Sequence, residues 1–236
     1  DPVAVDGDWI VATSEGPNNP FAPNAEPVFV FEHDGTSWQF DTQLSPTTPT
    51  QLDEFGTSVD ISGNTIVVGA PGYDPPHEPL NAGAALVYEH AGSTWVETAI
   101  LVAPSHGFLD DYASEVAIDG DRVAVARPGS GSDYGGVHTW TRSAPGTWNA
   151  EHDLYASNPY TNERLGEELV VVGDRVFAST AGIADRVFLF DNGLEIGIRP
   201  DGGVEDGFLG SRIASDGDTV FAFNSTGGLF QSEIWV

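Results

Sequence analysis

Six histidines and several pairs of adjacent acidic residues are the side chains best suited to acid–base chemistry. His33 and His90 hold equivalent positions after two similar aromatic segments, whereas a single catalytic centre would need only one of them. The other four histidines lack the spacing that is typical of metal ligands. We therefore expect each histidine to be solvated or hydrogen-bonded in a structural role.

Adjacent acidic residues occur at 53–54, 110–111 and 167–168. Two carboxylates can together hydrolyse a glycosidic bond, but neighbouring side chains in a strand point to opposite faces. The chain contains neither a Gly-x-Ser-x-Gly nucleophile motif nor a glycine-rich phosphate loop before a helix. The sequence therefore predicts that the protein has no catalytic residue, binds no cofactor and is not an enzyme. A glycan-acting enzyme remains an open alternative that no motif supports.

The charge balance narrows the choice of partners. The 236 residues include 36 acidic and 8 basic side chains, all of the latter arginine, for a formal net charge of -28. Such a chain repels nucleic acids and anionic lipids, so neither is expected as a partner. Salt screens the self-repulsion, since the Debye length falls to about 3 Å near 1 M salt. We interpret this composition as halophilic or marine; cation binding or a merely acidic surface is the alternative.

One sequence pattern recurs five times along the chain and is expected to form the same local structure each time. It consists of an apolar-x-apolar-x-Gly run, a polar turn and a β-branched run. Alternation around Asp-Gly or Gly-Asn predicts a β-hairpin. The five copies begin at Val3, Val59, Val116, Leu169 and Ile213.

A third strand is predicted downstream of each hairpin, and a fourth strand follows it in the first four repeats. In three repeats the fourth strand begins with a tryptophan, and in the fourth repeat it is shortened to 194–198. Each repeat is therefore predicted to be a four-stranded antiparallel meander, and since no segment has helical periodicity, the fold class is all-β. The aromatic-rich third strands lie at 28–31, 85–88, 137–140, 187–190 and 233–236.

A meander that is apolar on both faces must stack on its neighbours. Radial stacking gives a β-propeller of about five blades, whereas linear stacking into a solenoid is the lesser alternative. We predict one domain over 1–236, with the last blade incomplete. Its repeats span about 1–50, 51–105, 106–160, 161–204 and 205–236.

The second repeat resembles a known family. Phe55-Gly56-Thr57-Ser58-Val59 leads through a hairpin into Gly69-Ala70-Pro71, which is similar to the FG-GAP repeat of integrin α subunits and of microbial surface proteins. The resemblance implies a β-propeller with an extracellular binding or adhesion role. It weakens in the third repeat, where residues 111–113 and 126–128 replace Phe-Gly and Gly-Ala-Pro.

One departure from the family concerns calcium. Integrin-type repeats often carry an Asp-x-Asp-x-Asp-Gly loop between their first two strands, and several oxygens of that loop converge on the ion. Here the connection is a short turn such as Asp119-Gly120-Asp121. The sequence therefore predicts no metal site in these turns.

The loops of a meander alternate between two faces. Connections between strands one and two and between strands three and four are short, whereas those between strands two and three and between successive repeats are long and rich in proline. Long loops on a rigid scaffold are where binding usually resides. We therefore predict that a protein or glycan ligand binds on the long-loop face; free variation of these loops is the alternative. The expected exposed anchors are Phe21, Tyr73, His77, Tyr134 and Tyr160.

The sequence predicts an extracellular or cell-surface binding module, with a structural subunit of a surface layer, appendage or virion as the alternative. No window approaches the roughly 18 apolar residues of a membrane helix. The chain opens at Asp1, which we interpret as a processed chain or a fragment. The last repeat stops at its third strand, 233–236, and leaves an edge. Another subunit, or a missing part of this protein, is expected to pair with that edge.

Overall fold

The computed structural model of the protein is built from strands alone in the residues that it describes. No helix occurs among them, so no helix there is long and apolar enough to cross a membrane. The all-β prediction is therefore confirmed. The described residues are 2–14, 27–48, 53–74, 82–103, 111–129, 134–159, 164–180, 186–197, 212–216, 219–223 and 233–235.

The strands form five separate antiparallel sheets, which we call blades 1 to 5 in chain order. Each of blades 1 to 4 is a four-stranded meander, as the repeats predict. Blade 1 contains β1 (Val3–Asp6), β2 (Trp9–Thr13), β3 (Val28–His33) and β4 (Trp38–Leu44). Blade 2 contains β5 (Val59–Ser62), β6 (Thr65–Ala70), β7 (Ala84–Ala91) and β8 (Thr94–Leu101).

The remaining blades follow the same order, with a shorter last strand in blade 4 and three described strands in blade 5. Blade 3 contains β9 (Val116–Asp119), β10 (Arg122–Arg127), β11 (Gly136–Ala144) and β12 (Thr147–Leu154). Blade 4 contains β13 (Leu165–Val172), β14 (Arg175–Thr180), β15 (Val187–Asp191) and β16 (Leu194–Glu195). Blade 5 contains β17 (Arg212–Asp216), β18 (Thr219–Phe223) and β19 (Glu233–Trp235).

The first hairpin of a repeat is closed by a two-residue turn with glycine at its first position. In blade 1, Asp6 pairs with Trp9 across Gly7, and in blade 3, Asp119 pairs with Arg122 across Gly120. The φ angles of these two glycines are 55° and 56°. A type II′ hairpin turn needs such a positive φ at this position, and glycine adopts it without the clash that a Cβ brings.

Successive blades pack face to face, and strand alternation decides which residue meets which neighbour. In blade 3, Val116 and Ile118 are buried against blade 2, whereas Ala117 between them is buried against blade 4. The same alternation packs blade 2 on blade 1 and blade 5 on blade 4. The core is thus a series of apolar layers between blades, which explains why both faces of each meander are apolar.

The Gly-Ala-Pro motif lies where the next blade approaches most closely. A Cβ on Gly69 would overlap the carbonyl oxygen of Ala113, the residue that replaces glycine in the third repeat. At the boundary between blades 3 and 4 the alanine and the glycine exchange positions: Ala126 stands where blade 2 has Gly69, and Gly166 stands where blade 3 has Ala113. A Cβ on Gly166 would lie 3.0 Å from the Cβ of Ala126. Each boundary therefore pairs one glycine with one alanine, which accounts for the departures of the third repeat.

Candidate functional site

The innermost strands of all five blades, β1, β5, β9, β13 and β17, line one cavity of about 640 Å³, which we call the central channel. Consecutive inner strands contact each other in chain order. The radial arrangement predicted from the repeats is therefore present, and the side chains of the inner strands are brought to a common axis.

At the short-turn end of the channel, side chains connect one blade to the next. The residue before the turn glycine accepts a hydrogen bond from the turn glycine N–H of the following blade. The acceptor-to-nitrogen pairs are Asp6 Oδ2 to Gly63 (2.5 Å), Ser62 Oγ to Gly120 (2.9 Å) and Asp119 Oδ2 to Gly173 (2.7 Å). These polar groups therefore have a structural role, because their hydrogen bonds join neighbouring blades.

Carboxyl groups also line the central channel. Burial raises the pKa of Asp60 to about 6, against hydrogen bonds from the N–H groups of Ile118 and Ile61 that lower it. Burial raises the pKa of Glu115 to about 8, with the nearby charge of Glu168 adding to the shift. The channel interior therefore disfavours negative charge on its own acids.

A second cavity of about 310 Å³, which we call the channel mouth, lies next to the long-loop end of the channel, since Ser114 and Glu167 of its lining directly precede Glu115 and Glu168 of the channel lining. It lies between the ends of the loops that precede the inner strands and the starts of the loops that follow the second strands. The loops that carry the long connections therefore meet the channel here. Its lining residues are Glu54, Pro71, Asp111, Ser114, Pro128, Arg164, Gly166 and Glu167.

Three residues of the channel mouth have left-handed backbone conformations that non-glycine residues rarely adopt. The φ angles are 51° at Glu54, 50° at Asp111 and 52° at Arg164. Each residue directly precedes the Phe-Gly motif or its equivalent, so the three side chains occupy one repeat position in three consecutive blades. The turn that follows is similar in two of them, since Thr57 and Ser114 donate backbone hydrogen bonds to the carbonyls of Glu54 and Asp111.

The charges of the channel mouth are mixed but acidic in balance. Partial desolvation of the Glu54 carboxyl and the charge of Asp111 raise the pKa of Glu54 above its usual range. Arg164 forms an ion pair with Glu167, with Nη2 and Oε2 3.1 Å apart. The arginine therefore neutralises one of the three carboxylates that line the channel mouth.

The structure describes two of the five predicted anchor residues, and only one of the two is exposed. Tyr134 is 49% exposed, as expected, and its carbonyl accepts a hydrogen bond from the Leu165 N–H. The prediction that Tyr73 is an exposed anchor is wrong, because it is only 3% exposed and belongs to the core between blades 1 and 2. Its hydroxyl lies 3.4 Å from Thr48 Oγ1, so the ring fills the core while its polar end reaches a partner. The other three anchors, Phe21, His77 and Tyr160, lie outside the described residues.

The histidines in the described part of the chain contact aromatic or acidic side chains. The His90 ring contacts those of Trp9 and Trp95, with centroid distances of 4.9 and 5.1 Å, and the two tryptophan rings also contact each other at 5.2 Å. His138 is buried, and its Nε2 lies 3.3 Å from Asp153 Oδ1. Within the same ranges no group of three or more His, Asp or Glu side chains is arranged to hold a metal ion.

Nothing in the sequence indicated a site at the acidic pairs, because neighbouring side chains in a strand point to opposite faces. Within the first pair, Asp53 is buried and Glu54 is exposed, so the two side chains do point apart as expected. However, Glu54, Asp111 and Glu167 from three different pairs all reach the channel mouth. The signal that could have found the first two is their constant position directly before the Phe-Gly motif.

Known folds place this architecture among the β-propellers. The β-propeller domain of the Trilobed protease from Pyrococcus furiosus matches 99% of this chain and 66% of its own, at 10% identity and a TM-score of 0.56. A prolyl endopeptidase structure matches 94% of this chain at 15% identity and a TM-score of 0.53, with 30% of its own chain covered. Sqt1 from Saccharomyces cerevisiae matches 96% of this chain and 56% of its own, at 10% identity and a TM-score of 0.54.

The chain thus spans between about a third and two thirds of these solved chains, and at such low identity the likeness shows the fold alone. The family model of the FG-GAP repeat matches residues 38–88, from the start of β4 into β7. The resemblance seen in the second repeat is therefore confirmed. No curated protein sequence matches the chain significantly.

Proposed function

We propose that this chain is a non-enzymatic extracellular binding module whose ligand docks at the channel mouth. FG-GAP repeats are typical of extracellular proteins, which supports this location. The observation that carries the proposal is the convergence of three left-handed residues, Glu54, Asp111 and Arg164, on one cavity.

Backbone strain of this kind costs on the order of 1–3 kcal/mol per residue and tends to persist at functional sites. Glycine would remove the strain at Glu54, Asp111 and Arg164, yet the chain has a charged side chain at all three positions. The charged side chains must therefore contribute something that glycine cannot. Binding of a charged ligand at the channel mouth is the contribution that their shared location favours.

The ligand class follows from the electrostatics of the site. The channel mouth holds three carboxylates and one arginine, which is already paired with Glu167, on a chain with a formal net charge of -28. A basic patch on another protein would be steered towards such a site and would find hydrogen-bond acceptors there. Tyr134 offers an exposed aromatic ring, and Phe21, His77 and Tyr160 remain proposed as further anchors. A neutral glycan would gain nothing from this field, so we propose a basic protein ligand.

Variants at the left-handed positions test the proposal. Wild-type protein would be screened against an array of arginine- and lysine-rich peptides and against a glycan array, and the best ligand then titrated by calorimetry. We expect Asp111→Gly to weaken binding of a basic peptide at least about tenfold, while raising the melting temperature by relief of strain. Asp111→Asn separates the two effects, because asparagine also tolerates the left-handed conformation but carries no charge.

Asp41→Asn is the matched control, since Asp41 is an exposed acid on the outer strand β4, away from the channel mouth. It removes the same charge and should leave the affinity nearly unchanged. Equal losses for Asp111→Asn and Asp41→Asn would mean that net charge, and not the channel mouth, attracts the peptide. Unchanged binding by Asp111→Gly, or selective binding of neutral glycans, would contradict the proposal.

A further inference from the structure

The first strand of each blade pairs with the second strand on one side and with no other described strand of its sheet on the other. We call this other side, which faces the central channel, the inner edge. The inner edge of β9 is closed by side chains of β5, which accept three backbone N–H groups. An edge closed in this way cannot pair with a further strand. The bonds join Val116 N to Ser58 Oγ (3.0 Å), Ile118 N to Asp60 Oδ2 (2.7 Å) and Gly120 N to Ser62 Oγ (2.9 Å).

The inner edge of β13 is left open at its centre. Counted from the start of each copy of the repeated pattern, a closing side chain accepts the N–H one position further on in the next blade, as Asp119 does with Gly173. By this spacing Ala117 lies opposite Val171, and a methyl group cannot accept a hydrogen bond. Strand residues two apart direct their N–H groups to the same side, so the Val171 N–H faces the channel, as that of Gly173 does. Blade 3 therefore leaves open the position that blade 2 closes.

The neighbouring position on the same edge is Leu169. By the same spacing Glu115 is the side chain opposite it, but the Glu115 carboxyl is hydrogen-bonded to Ser58 of blade 2. The N–H and C=O groups of one strand residue point to the same side, so Leu169 and Val171 present two donors and two acceptors in one row. This is the backbone pattern with which a sheet edge binds an added strand.

The channel has the dimensions of one extended chain. The inner strands of blades 1 to 3 are each four residues long, which is about 14 Å at roughly 3.4 Å per residue. A volume of about 640 Å³ over that length corresponds to a cross-section of about 46 Å². A strand in stacked sheets occupies a similar area, about 4.8 Å by about 10 Å. The channel therefore has room for one extended segment beside β13.

The charge of the lining indicates what kind of segment fits. Of the described residues that line the channel, five are acidic and none is basic. Burial disfavours ionisation of Asp60 and Glu115, and a basic side chain beside them would offset that cost. A basic segment would also be steered towards the channel by the field of its acids. The five acidic residues are Asp6, Asp60, Glu115, Asp119 and Glu168.

We propose that the inner edge of β13 binds an extended, basic peptide segment, which pairs as an added strand with Leu169 and Val171. This inference rests on the proposed function, since the segment belongs to the basic protein ligand and enters the channel from the channel mouth. Backbone pairing supplies affinity that does not depend on the sequence of the segment, and the channel acids select for positive charge.

A peptide that alternates arginine and valine over eight residues is the probe, because valine favours the extended conformation. Its affinity for the wild-type protein would be measured by calorimetry, beside that of the same peptide N-methylated at its internal residues. N-methylation keeps the charge and removes the N–H donors that pairing requires. We expect the methylated peptide to bind at least about tenfold more weakly.

Ala117→Asp closes the edge from the protein side. The new carboxylate would accept the Val171 N–H, so affinity for the octapeptide should fall at least about tenfold, although the added negative charge alone would raise it. Ala4→Asp is the matched control, because Ala4 lines the channel and holds the same repeat position in blade 1. The N–H opposite it belongs to Ile61 and is already bonded to Asp60 Oδ1. Ala4→Asp should leave the affinity unchanged or raise it.

Amide hydrogen exchange, followed by nuclear magnetic resonance, requires no variant and so does not depend on how well Ala117→Asp folds. In the free protein the Val171 amide should exchange at least about tenfold faster than the Ile118 amide, which is bonded to Asp60. The octapeptide should slow exchange at Val171 and leave Ile118 nearly unchanged. Equal protection of the two amides in the free protein would mean that another part of the chain already occupies the edge, and would overturn the inference.

The outcomes separate this inference from the proposed function. Equal affinity for the two peptides, together with weaker binding by Asp111→Asn, would overturn strand pairing and leave the ligand at the channel mouth. Weaker binding by Ala117→Asp but not by Asp111→Asn would support pairing and contradict the channel mouth as the docking site. Absence of octapeptide binding to a protein that binds other basic peptides would overturn pairing alone, and absence of binding to every basic peptide would contradict both proposals.

Discussion

The Asp119 carboxylate accepts a hydrogen bond from the backbone N–H of Gly173, with Oδ2 and N 2.7 Å apart, and so joins blade 3 to blade 4. Asp6 and Ser62 make the equivalent bond at the two preceding boundaries. The Asp-Gly turns thus have a role that the hairpin signal does not reveal: the residue before the glycine fixes the spacing between blades.

Loss of this bond should weaken the boundary. We expect Asp119→Ala to lower the free energy of unfolding by about 1 kcal/mol, because the Gly173 N–H loses its acceptor. Asp119→Asn keeps an acceptor oxygen and should cost less than half as much. Urea denaturation followed by tryptophan fluorescence measures both values. Equal stability of the alanine variant and the wild type would contradict a structural role for the bond.

Close approach between blades makes a second prediction, at Gly69. A Cβ there would overlap the Ala113 carbonyl oxygen, which belongs to the backbone and cannot turn aside. Gly69→Ala should therefore cost about 2–3 kcal/mol of stability through overpacking. Gly92→Ala is the control, because Gly92 has a φ of 73° but nothing within 4 Å of a Cβ, and its substitution should cost about 1–2 kcal/mol. A smaller loss for Gly69→Ala than for Gly92→Ala would refute the packing argument.

The Glu115 carboxyl gives a pH dependence whose sign can be worked out. Burial raises its pKa to about 8 in the folded protein, so between roughly pH 4.5 and 8 the folded state binds more protons here than the unfolded state does. This group therefore contributes a loss of stability as pH rises through that range. Glu115→Gln should raise the melting temperature at pH 8 and leave it nearly unchanged at pH 4.5.

Other carboxylates also titrate in this range, so the informative quantity is the difference between variant and wild type at each pH. Glu97→Gln serves as the control, because it removes an acid on β8 of blade 2 that does not line the channel. A constant difference between Glu115→Gln and wild type from pH 4.5 to 8 would contradict the raised pKa.

Salt dependence is the fourth prediction and follows from the absence of lysine and the net charge of -28. The melting temperature should rise from about 0.1 M to about 2 M sodium chloride, because added ions screen repulsion between carboxylates. Chloride is the suitable anion, since sulfate stabilises most proteins by exclusion from their surface. A melting temperature that stays constant or falls over this range would count against a halophilic origin.

Local sequence patterns predicted most of the strands, but they did not predict the burial of Tyr73. The hairpin signature located β5 and β6 because alternation and turn chemistry are local properties. Tyr73 follows Gly72 in a loop rich in proline and glycine, and composition there predicts exposure. Its burial depends on blade 1, which supplies the other wall of the same core layer. Whether a loop residue is buried depends on the loop and on the blade that packs against it. The loop sequence carries information about only the first of these two segments.

By itself the sequence determined that this protein is all-β, that it repeats five times and that its second repeat is of the FG-GAP type, since each of these follows from local spacing. Only the tertiary structure determined which charged side chains lie close together. Glu54, Asp111 and Arg164 are more than 50 residues apart along the chain and meet because the radial order of the blades brings one repeat position to one axis. The physical reason is that strand formation depends on near neighbours, whereas the channel mouth arises from packing between blades that are distant in sequence.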